Sequence, residues 1–486
     1  MKNSKPQKKE VAKAVIWKFV ERVGVNGITF AISLVLARIL MPEDYGVLAL
    51  LTIFIHVATA LIDGGFISSL IQKKDTTQLD YCSVFWFSFL FSCSCYFVLF
   101  FLAPFIATFY NKQILVPVLR VVSLTLIIKV FQCIPFALVN KKIDFKTTAR
   151  VSFISNITSG MLAIILAYKN FGVWALVIQQ LMAALLSVFI YIFITKWIPK
   201  FQFSLHSLKA LFDFGSKMMF LGFSSAVFDN VYGIVIGKKF DSTALGIYNR
   251  GDAFPRLIVC NVSGAMENVI FPTLTHYNED KEKALSIVRR FVALSSYCIM
   301  PLMFGLAAIA KPMVMVLLTE KWIESVFFLR VACIVWATDP LKGVSFSTLY
   351  AFGKSDTALK FTLLRYFLVM IALFITMNLG LKIMAIGYAV AYTISRFLDF
   401  IPLSRLLDYR FNRIIGDILP SVVLSLVMFL VVYPIALLPI SILTQLVIQI
   451  LVGIVVYVFL SWLLKNHTFF YLVDNVSKFF KGRKNG

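Results

Sequence analysis

The sequence predicts an all-α polytopic membrane protein of about 14 transmembrane helices, built as two pseudo-twofold-related six-helix lobes plus two extra helices. Composition is the first observation: 60% of the residues are apolar and 15% are charged, with a mean hydropathy of +0.86, whereas a soluble domain is about half apolar and a quarter charged. Continuous apolar runs of roughly 20 residues are the second, and they favour membrane helices over a barrel of alternating strands. An internal repeat is the third.

The apolar runs give the order of the predicted helices, with boundaries good to a few residues. Loops on the face opposite the termini are short, such as 40–43 and 169–172, so no soluble catalytic domain could be housed there. The predicted spans lie near 23–40, 45–68, 83–107, 114–138, 149–168, 172–195, 214–237, 253–275, 291–310, 324–351, 361–378, 382–402, 414–438 and 440–464.

The repeat relates the two halves of the chain by a shift of 200 residues or slightly more. Its matches keep their order and fall at the same points between apolar runs, which predicts two copies of one membrane unit. The matching pairs are 37–40 with 237–240, Gly46 with Gly246, Gly64 with Gly264, 119–121 with 329–331, and 170–172 with 378–380.

The repeat also predicts the domain organisation. Each lobe has an even number of spans, so both lobes enter the membrane from the same side and should be related by an axis along the membrane normal. The predicted parts are an N-lobe of spans 1–6 over 1–200, a cytoplasmic connector over 201–213, a C-lobe of spans 7–12 over 214–404, spans 13–14 over 405–464, and a cytoplasmic amphipathic tail over 465–486.

The net charge of +23 would suggest a nucleic-acid partner in a soluble protein, but here membrane topology explains it. Roughly 30 of the 47 Lys and Arg residues fall in loops on the side of the N-terminus, which is the positive-inside pattern. We therefore expect both termini to be cytoplasmic and no nucleic acid to be bound. The first apolar run is long and lacks a small-residue cleavage site, so we expect it to remain as a span.

Polar residues concentrate in spans 1, 2, 7 and 8, whereas seven other spans are essentially free of charge in their cores. Because polar groups are costly inside a bilayer, this placement predicts that the four helices face a shared wet cavity. Lysine and arginine near span ends can equally snorkel to the headgroups, and that alternative stays open for them. The predicted substrate-binding residues are Lys18, Arg22, Asn26, Arg250 and Arg256. The predicted ion-coupling acids, too short to snorkel well, are Asp63, Asp229 and Glu267.

Two further pairs coincide in the repeat. Arg120 and Arg330 stand at an outer boundary, which favours a structural role such as pinning a helix end. Lys129 and Asp339 coincide under the same shift. An ion pair between them is one interpretation, although the sequence does not show that they touch.

The sequence carries no enzyme motif. It has no P-loop, which argues against ATP hydrolysis by this chain. Its seven cysteines and four histidines have no metal-ligand spacing, so we expect free, mostly buried thiols, no metal and no cofactor.

Several motifs near the N-terminus form a recognisable set. They are Trp17, Glu21-Arg22, the 36–40 stretch LARIL, the 42–46 stretch PEDYG, Asp63-Gly64-Gly65, and the 84–86 stretch VFW. This set resembles the polysaccharide transport family of the multidrug/oligosaccharidyl-lipid/polysaccharide (MOP) exporter superfamily. Within that family the chain is most similar to Wzx-type flippases of exopolysaccharide export.

The resemblance implies an alternating-access flippase with a MATE-like fold and a cavity lined by spans 1, 2, 7 and 8. Its implied substrate is undecaprenyl-pyrophosphate-linked oligosaccharide, moved across the bacterial cytoplasmic membrane for O-antigen or exopolysaccharide biosynthesis. Membrane lipids, polysaccharide polymerase and export proteins are the implied partners. Cationic side chains suit a pyrophosphate, which leads to a relay hypothesis. Lys18 and Arg22 would bind it in the inward-open state, and Arg250 or Arg256 in the outward-open state.

Two alternatives remain from the sequence. The embedded acids depart from a purely basic lining, which leaves coupling to H⁺ or Na⁺ open and keeps a MATE-like multidrug or cation antiporter as one alternative. The other is a non-transporting membrane scaffold of a polysaccharide synthase, against which the cost of repeat-matched buried polar residues argues.

Overall fold

The structure is a computed structural model that describes residues 8–63, 69–70, 73, 76–142 and 144–482. Within these ranges the side chains of residues 8–23, 63, 210–215, 217, 218, 221 and 475–482 are not described. The described residues form α-helices joined by short loops and contain no β-strand. The all-α membrane class predicted from composition is therefore confirmed.

The helices follow one another closely along the chain. Those up to residue 239 are α1 (Lys8–Ile39), α2 (Pro42–Asp63), α3 (Gln78–Tyr110), α4 (Leu115–Val122), α5 (Leu124–Lys141), α6 (Phe145–Tyr168), α7 (Val173–Thr195) and α8 (Leu205–Lys239). The others are α9 (Ser242–His276), α10 (Lys281–Ala308), α11 (Ala310–Leu317), α12 (Ser325–Ala337), α13 (Asp339–Ala351), α14 (Ser355–Thr376), α15 (Leu381–Leu398), α16 (Ile401–Leu407), α17 (Phe411–Val432), α18 (Ile442–Leu463) and α19 (His467–Gly482).

Among the described residues, 11 helical segments are long and apolar enough to cross a membrane. Each coincides with one of the predicted spans, but the predicted count of 14 is not confirmed. The other three predicted spans correspond to α1, whose apolar part is the shorter segment Gly24–Ile39, to α8, and to α12 followed by α13. The predicted span 324–351 is divided into α12 and α13 because Pro340, at the start of α13, has no N–H to continue the helical hydrogen bonds.

The chain divides into two compact units, unit 1 (Met1–Gly246) and unit 2 (Ile247–Gly486). The division falls inside α9 rather than at the predicted connector, because α8 packs against α2 and α3. The connector itself is anchored in unit 1: the indole of Trp86 donates to the Lys200 carbonyl at 2.9 Å, and the Ser204 N–H donates to the Ser83 hydroxyl at 2.9 Å. The lobe boundaries given by the repeat stay a prediction.

Arg120 and Arg330, which match in the repeat, have the same structural role in the two units. Arg120 donates from Nε to the Phe100 carbonyl of α3 at 3.4 Å, and Arg330 donates to the Ala307 carbonyl of α10 at 3.2 Å. Both arginines also stack on an aromatic ring, with Arg120 4.0 Å from the centroid of Phe100. Arg120 of α4 therefore bonds to α3, and Arg330 of α12 bonds to the last turn of α10, which is the kind of structural role predicted for the pair.

Two other repeat matches are pairs of glycines, and the backbone at each position explains why a glycine is needed there. Gly172 and Gly380 precede α7 and α15 with φ of +55° and +101°, a region that side chains disfavour. Gly46 is required for space: a Cβ there would lie 1.6 Å from the Ser242 carbonyl oxygen. At Gly246 a Cβ would lie 2.1 Å from the Pro42 carbonyl oxygen, so the first turns of α2 and α9 touch through bare backbone.

The tail forms the amphipathic helix α19 that its spacing predicts. Part of its apolar face is used within unit 2, since Phe469 and Leu472 pack against the cluster that includes Tyr297, Met428 and Tyr457. Val476 and Phe480 continue the helical spacing of Phe469 and Leu472 in the sequence, and their side chains lie outside the described residues.

Candidate functional site

The sequence-predicted residues of the first two spans are described only in part. The backbones of Lys18, Arg22 and Asp63 belong to α1 and α2, but their side chains lie outside the described residues. Asn26 is half-buried in α1, and Asp229 is exposed on α8. Their assignment to a substrate or ion site stays a prediction.

Arg250 and Arg256 occupy different environments on α9. Arg250 is buried, with 6% of its surface exposed, and its guanidinium lies 5.6 Å from the ring of Trp322 and 5.9 Å from that of Phe254. Arg256 has an exposed side chain and pairs with Asp252 at 3.5 Å across one helical turn. A diphosphate could reach Arg256 directly, whereas Arg250 is enclosed by aromatic side chains that favour a packing role.

Asp252 links α9 to α12. Its carboxylate accepts a 2.6 Å hydrogen bond from the Trp336 indole and faces Arg256 at 3.5 Å. This contact holds Arg256 near one orientation on an exposed helix face. The arrangement gives a charge-paired arginine with free access, which is the type of group that binds a phosphate reversibly.

Glu267 lies further along α9 and is exposed. Its Oε1 sits against the α13 backbone, because a Cβ at Gly343 would come within 2.6 Å of it. Electrostatic attraction to Glu267 also acts on the neighbouring Lys342. The glycine therefore makes room for this carboxylate beside a lysine, which is compatible with the predicted ion-coupling role and does not test it.

A buried ion network in unit 2 joins α13 to α15, and the sequence analysis did not identify it. Arg396 is completely buried; its Nη1 lies 3.2 Å from Asp399 Oδ2 and its Nη2 lies 3.5 Å from Asp339 Oδ1. The Tyr392 ring stacks on this guanidinium at 4.0 Å, and its hydroxyl donates to Asp339 at 3.1 Å. Removing one partner from such a network leaves a buried charge uncompensated, which costs about 3–5 kcal/mol.

Unit 1 contains a cavity of about 270 Å³ among α2, α3 and α5. Its lining includes the apolar side chains of Ile62, Leu126, Val130, Cys133 and Phe136. It also includes four polar side chains, which are Thr59, Ser88, Lys129 and Gln132. None of these four forms a hydrogen bond or ion pair with another described residue. The cavity therefore holds a cation, two hydroxyls and an amide whose bonding capacity is unused.

Lys129 is the unexpected member of this cavity because of its depth. The span Leu115–Lys141 has 27 residues, and Lys129 is 14 residues from its start and 12 from its end. A helix rises about 1.5 Å per residue, so about 18 Å separate Lys129 from the nearer end, beyond the reach of a lysine side chain. A charge at a helix centre costs about 2.5–3.5 kcal/mol even on insertion scales, so such residues are retained chiefly at functional sites.

The sequence carries a signal for each of these two sites. Lys129 and Asp339 coincide in the repeat, but they lie outside spans 1, 2, 7 and 8, where the polar residues are concentrated. Arg396 and Asp399 lie inside the predicted span 382–402, where any ionisable residue indicates a specific role. Which partner each charge has, and whether a cavity surrounds it, depends on packing that periodicity does not encode.

Comparison with known proteins shows that this chain is similar to proteins of polysaccharide biosynthesis. The succinoglycan biosynthesis transport protein ExoT of Rhizobium meliloti is 27% identical over 320 residues, 65% of this chain and 64% of that protein. The teichuronic acid biosynthesis protein TuaB of Bacillus subtilis is 27% identical over 307 residues, 62% of this chain and 63% of that protein. The chain thus spans slightly less than two thirds of these relatives' length.

Solved structures show the fold to which this chain is similar. The lipid II flippase MurJ has a TM-score of 0.74 at 15% identity, covering 93% of this chain and 98% of that chain. A multidrug resistance MATE transporter of the MOP superfamily has a TM-score of 0.61 at 14% identity, covering 80% of this chain and 99% of that chain. The MOP/MATE-like fold implied by the sequence resemblance is therefore confirmed.

The family follows from a match along the chain itself. A model of the polysaccharide biosynthesis protein family matches residues 35–327, from the end of α1 into α12. Because this is more than half of the 486 residues, the chain belongs to the polysaccharide biosynthesis protein family.

Proposed function

We propose that this protein is an alternating-access flippase that moves undecaprenyl-pyrophosphate-linked oligosaccharide across the bacterial cytoplasmic membrane during surface polysaccharide biosynthesis. The observation that carries the proposal is the family match over residues 35–327. It is supported by relatives named for succinoglycan transport and for lipopolysaccharide biosynthesis, and by the fold of a lipid II flippase. Both termini would be cytoplasmic, and the protein would not act as an enzyme.

The pyrophosphate would be bound by arginine and lysine side chains in turn. Lys18 and Arg22 are one helical turn apart near the predicted cytoplasmic mouth, where the headgroup would arrive. Arg256 is exposed and oriented by Asp252, so it is the better placed of the two α9 arginines to receive the headgroup. Bidentate hydrogen bonding favours arginine over lysine at such a site.

Ion coupling would use the embedded acids Asp63, Asp229 and Glu267 with H⁺ or Na⁺. Gly343 leaves space for the Glu267 carboxylate, which makes Glu267 the acid to test. Glu267→Gln keeps the shape and part of the hydrogen bonding but removes the charge. Export that loses its response to the ion gradient in this variant would support coupling through Glu267, and an unchanged response would exclude it.

A MATE-like antiporter is the second candidate function. The fold of a multidrug resistance transporter favours it, as do acids on membrane-spanning helices. It predicts that loss of the gene sensitises cells to small cationic compounds and leaves surface polysaccharide intact.

Gene deletion with lipid analysis tests the proposal. A flippase mutant should lose surface polysaccharide and accumulate lipid-linked oligosaccharide in the inner leaflet, and the native gene should reverse both changes. Normal surface polysaccharide without accumulated lipid-linked oligosaccharide would rule the proposal out. Arg256→Ala should reproduce the defect at normal protein level, with Lys281→Ala, at the exposed start of α10, as a matched loss of surface charge.

A further inference from the structure

We infer that the cavity among α2, α3 and α5 binds an acidic sugar, so that the transported oligosaccharide carries a carboxylate on one of its sugars. This inference rests on the proposed function and names the substrate class. Its basis is the set of four polar side chains around the cavity, Thr59, Ser88, Lys129 and Gln132, which have no partner among the described residues.

The cation requires an anionic ligand. Lys129 projects from α5 at the middle of its span, where no headgroup is within reach. The described residues supply it with no counter-charge. An anionic group entering the cavity would replace the missing partner with a charge-assisted hydrogen bond.

The other side chains can meet both the donors and the acceptors of a sugar. Phosphate oxygens only accept hydrogen bonds, whereas a sugar hydroxyl both donates and accepts. Ser88, Thr59 and Gln132 can each donate and accept, so they match hydroxyl groups. Gln132 is three residues from Lys129 on the same helix, which places an amide beside the ammonium on one face.

The number of charges separates an acidic sugar from the pyrophosphate linker. A pyrophosphate carries more than one negative charge and is commonly bound by several cations or a metal. Among the described residues that line this cavity, Lys129 is the one cation, which balances one carboxylate. Its volume of about 270 Å³ is roughly nine times the space that one water occupies in the liquid, enough for a single sugar ring.

Ligand-induced stabilisation of the purified full-length protein tests the inference. Sodium glucuronate, glucose and sodium pyrophosphate are compared at equal ionic strength. A ligand that binds only the folded state stabilises it by RT ln(1 + [L]/Kd) and therefore raises Tm. We expect glucuronate to raise Tm by about 2 °C and glucose to have no effect. The rise should vanish in Lys129→Met and persist in Lys129→Arg, which keeps the cation.

Each other outcome overturns the inference in a defined way. A pyrophosphate shift that exceeds the glucuronate shift and depends on Lys129 would assign the cavity to the lipid linker. No shift with any of the three probes, or an equal glucuronate shift in the native protein and Lys129→Met, would show that the cavity is not such a site. Ser88→Ala provides a second variant if Lys129→Met does not fold, and it should reduce the glucuronate shift at least by half.

An export measurement separates this inference from the proposed function. Flippase-deficient hosts that make an acidic or a neutral repeat unit are compared with the native protein and Lys129→Met. We expect the ratio of acidic to neutral export to fall about tenfold in the variant. If export is active and the ratio of acidic to neutral export is the same in Lys129→Met as in the native protein, the acidic-sugar site is rejected and the flippase proposal stands. If the native protein exports neither repeat unit, the flippase proposal is rejected. The Tm measurement then decides whether the cavity binds an acidic sugar.

Discussion

The middles of two corresponding spans in the repeat have opposite characters. Lys129 lies 14 residues after Leu115 in unit 1, and Asp339 lies 14 residues after Ser325 in unit 2. Lys129 is exposed to a cavity and has no partner among the described residues. Asp339 pairs with the buried Arg396 at 3.5 Å and accepts a hydrogen bond from Tyr392.

The difference indicates that repeat symmetry preserves the position of a charge without preserving its use. Arg120 and Arg330 retain one role, since both bind a backbone carbonyl of the preceding long helix. Lys129 and Asp339 have diverged into a binding group and a structural group. A charge with a buried partner stabilises packing, whereas a charge that opens on a cavity remains available to a ligand.

The largest effect should come from breaking the structural network of unit 2. Arg396→Met removes the partner of both Asp339 and Asp399 and should lower stability by about 3–5 kcal/mol. We expect loss of folded protein, measured as the monodisperse yield in detergent and the Tm of what remains. Arg405→Met is a matched control because Arg405 is exposed on α16. Equal yields for the two variants would mean that the network is not structural.

A smaller loss of stability, similar in the two units, should follow from replacing the glycines that precede α7 and α15 with alanine. Gly172→Ala and Gly380→Ala each force a side chain into positive φ, at a cost of about 1–3 kcal/mol. Both should lower Tm by similar amounts, while Gly27→Ala, where a Cβ meets nothing within 4 Å, should not. A drop in only one of the pair would show that the two loops are not equivalent.

The smallest effect should come from the arginines that tie helix ends. Arg120→Met and Arg330→Met each lose one hydrogen bond to a carbonyl and one ring contact, while methionine keeps part of the apolar packing. Each should cost about 1 kcal/mol, read as a modest fall in Tm with export per folded molecule unchanged. Loss of export at full stability in either variant would instead assign that arginine to substrate binding.

The sequence predicts the order of the spans well because hydropathy follows directly from the cost of apolar surface in water. It also identifies Arg120, Arg330, Gly172 and Gly380 as repeat positions with a shared purpose. It does not reveal that Arg250 is enclosed by Trp322 and Phe254, since those contacts join separate helices. The cavity beside Lys129 is missed for the same reason: three helices must pack before the space and its polar lining exist.

We expect Lys129 to serve transport and its repeat mate Asp339 to serve folding. The direct measurement is surface polysaccharide export per folded molecule for Lys129→Met and Asp339→Asn, with folded protein quantified in the same membranes. We predict that Lys129→Met is present at native level but exports at least tenfold less, because Lys129 has no ion pair with another described residue and a charge inside the membrane is costly to bury. Asp339→Asn should be depleted yet normally active per molecule. Full export by Lys129→Met, or an abundant but inactive Asp339→Asn, would contradict this expectation.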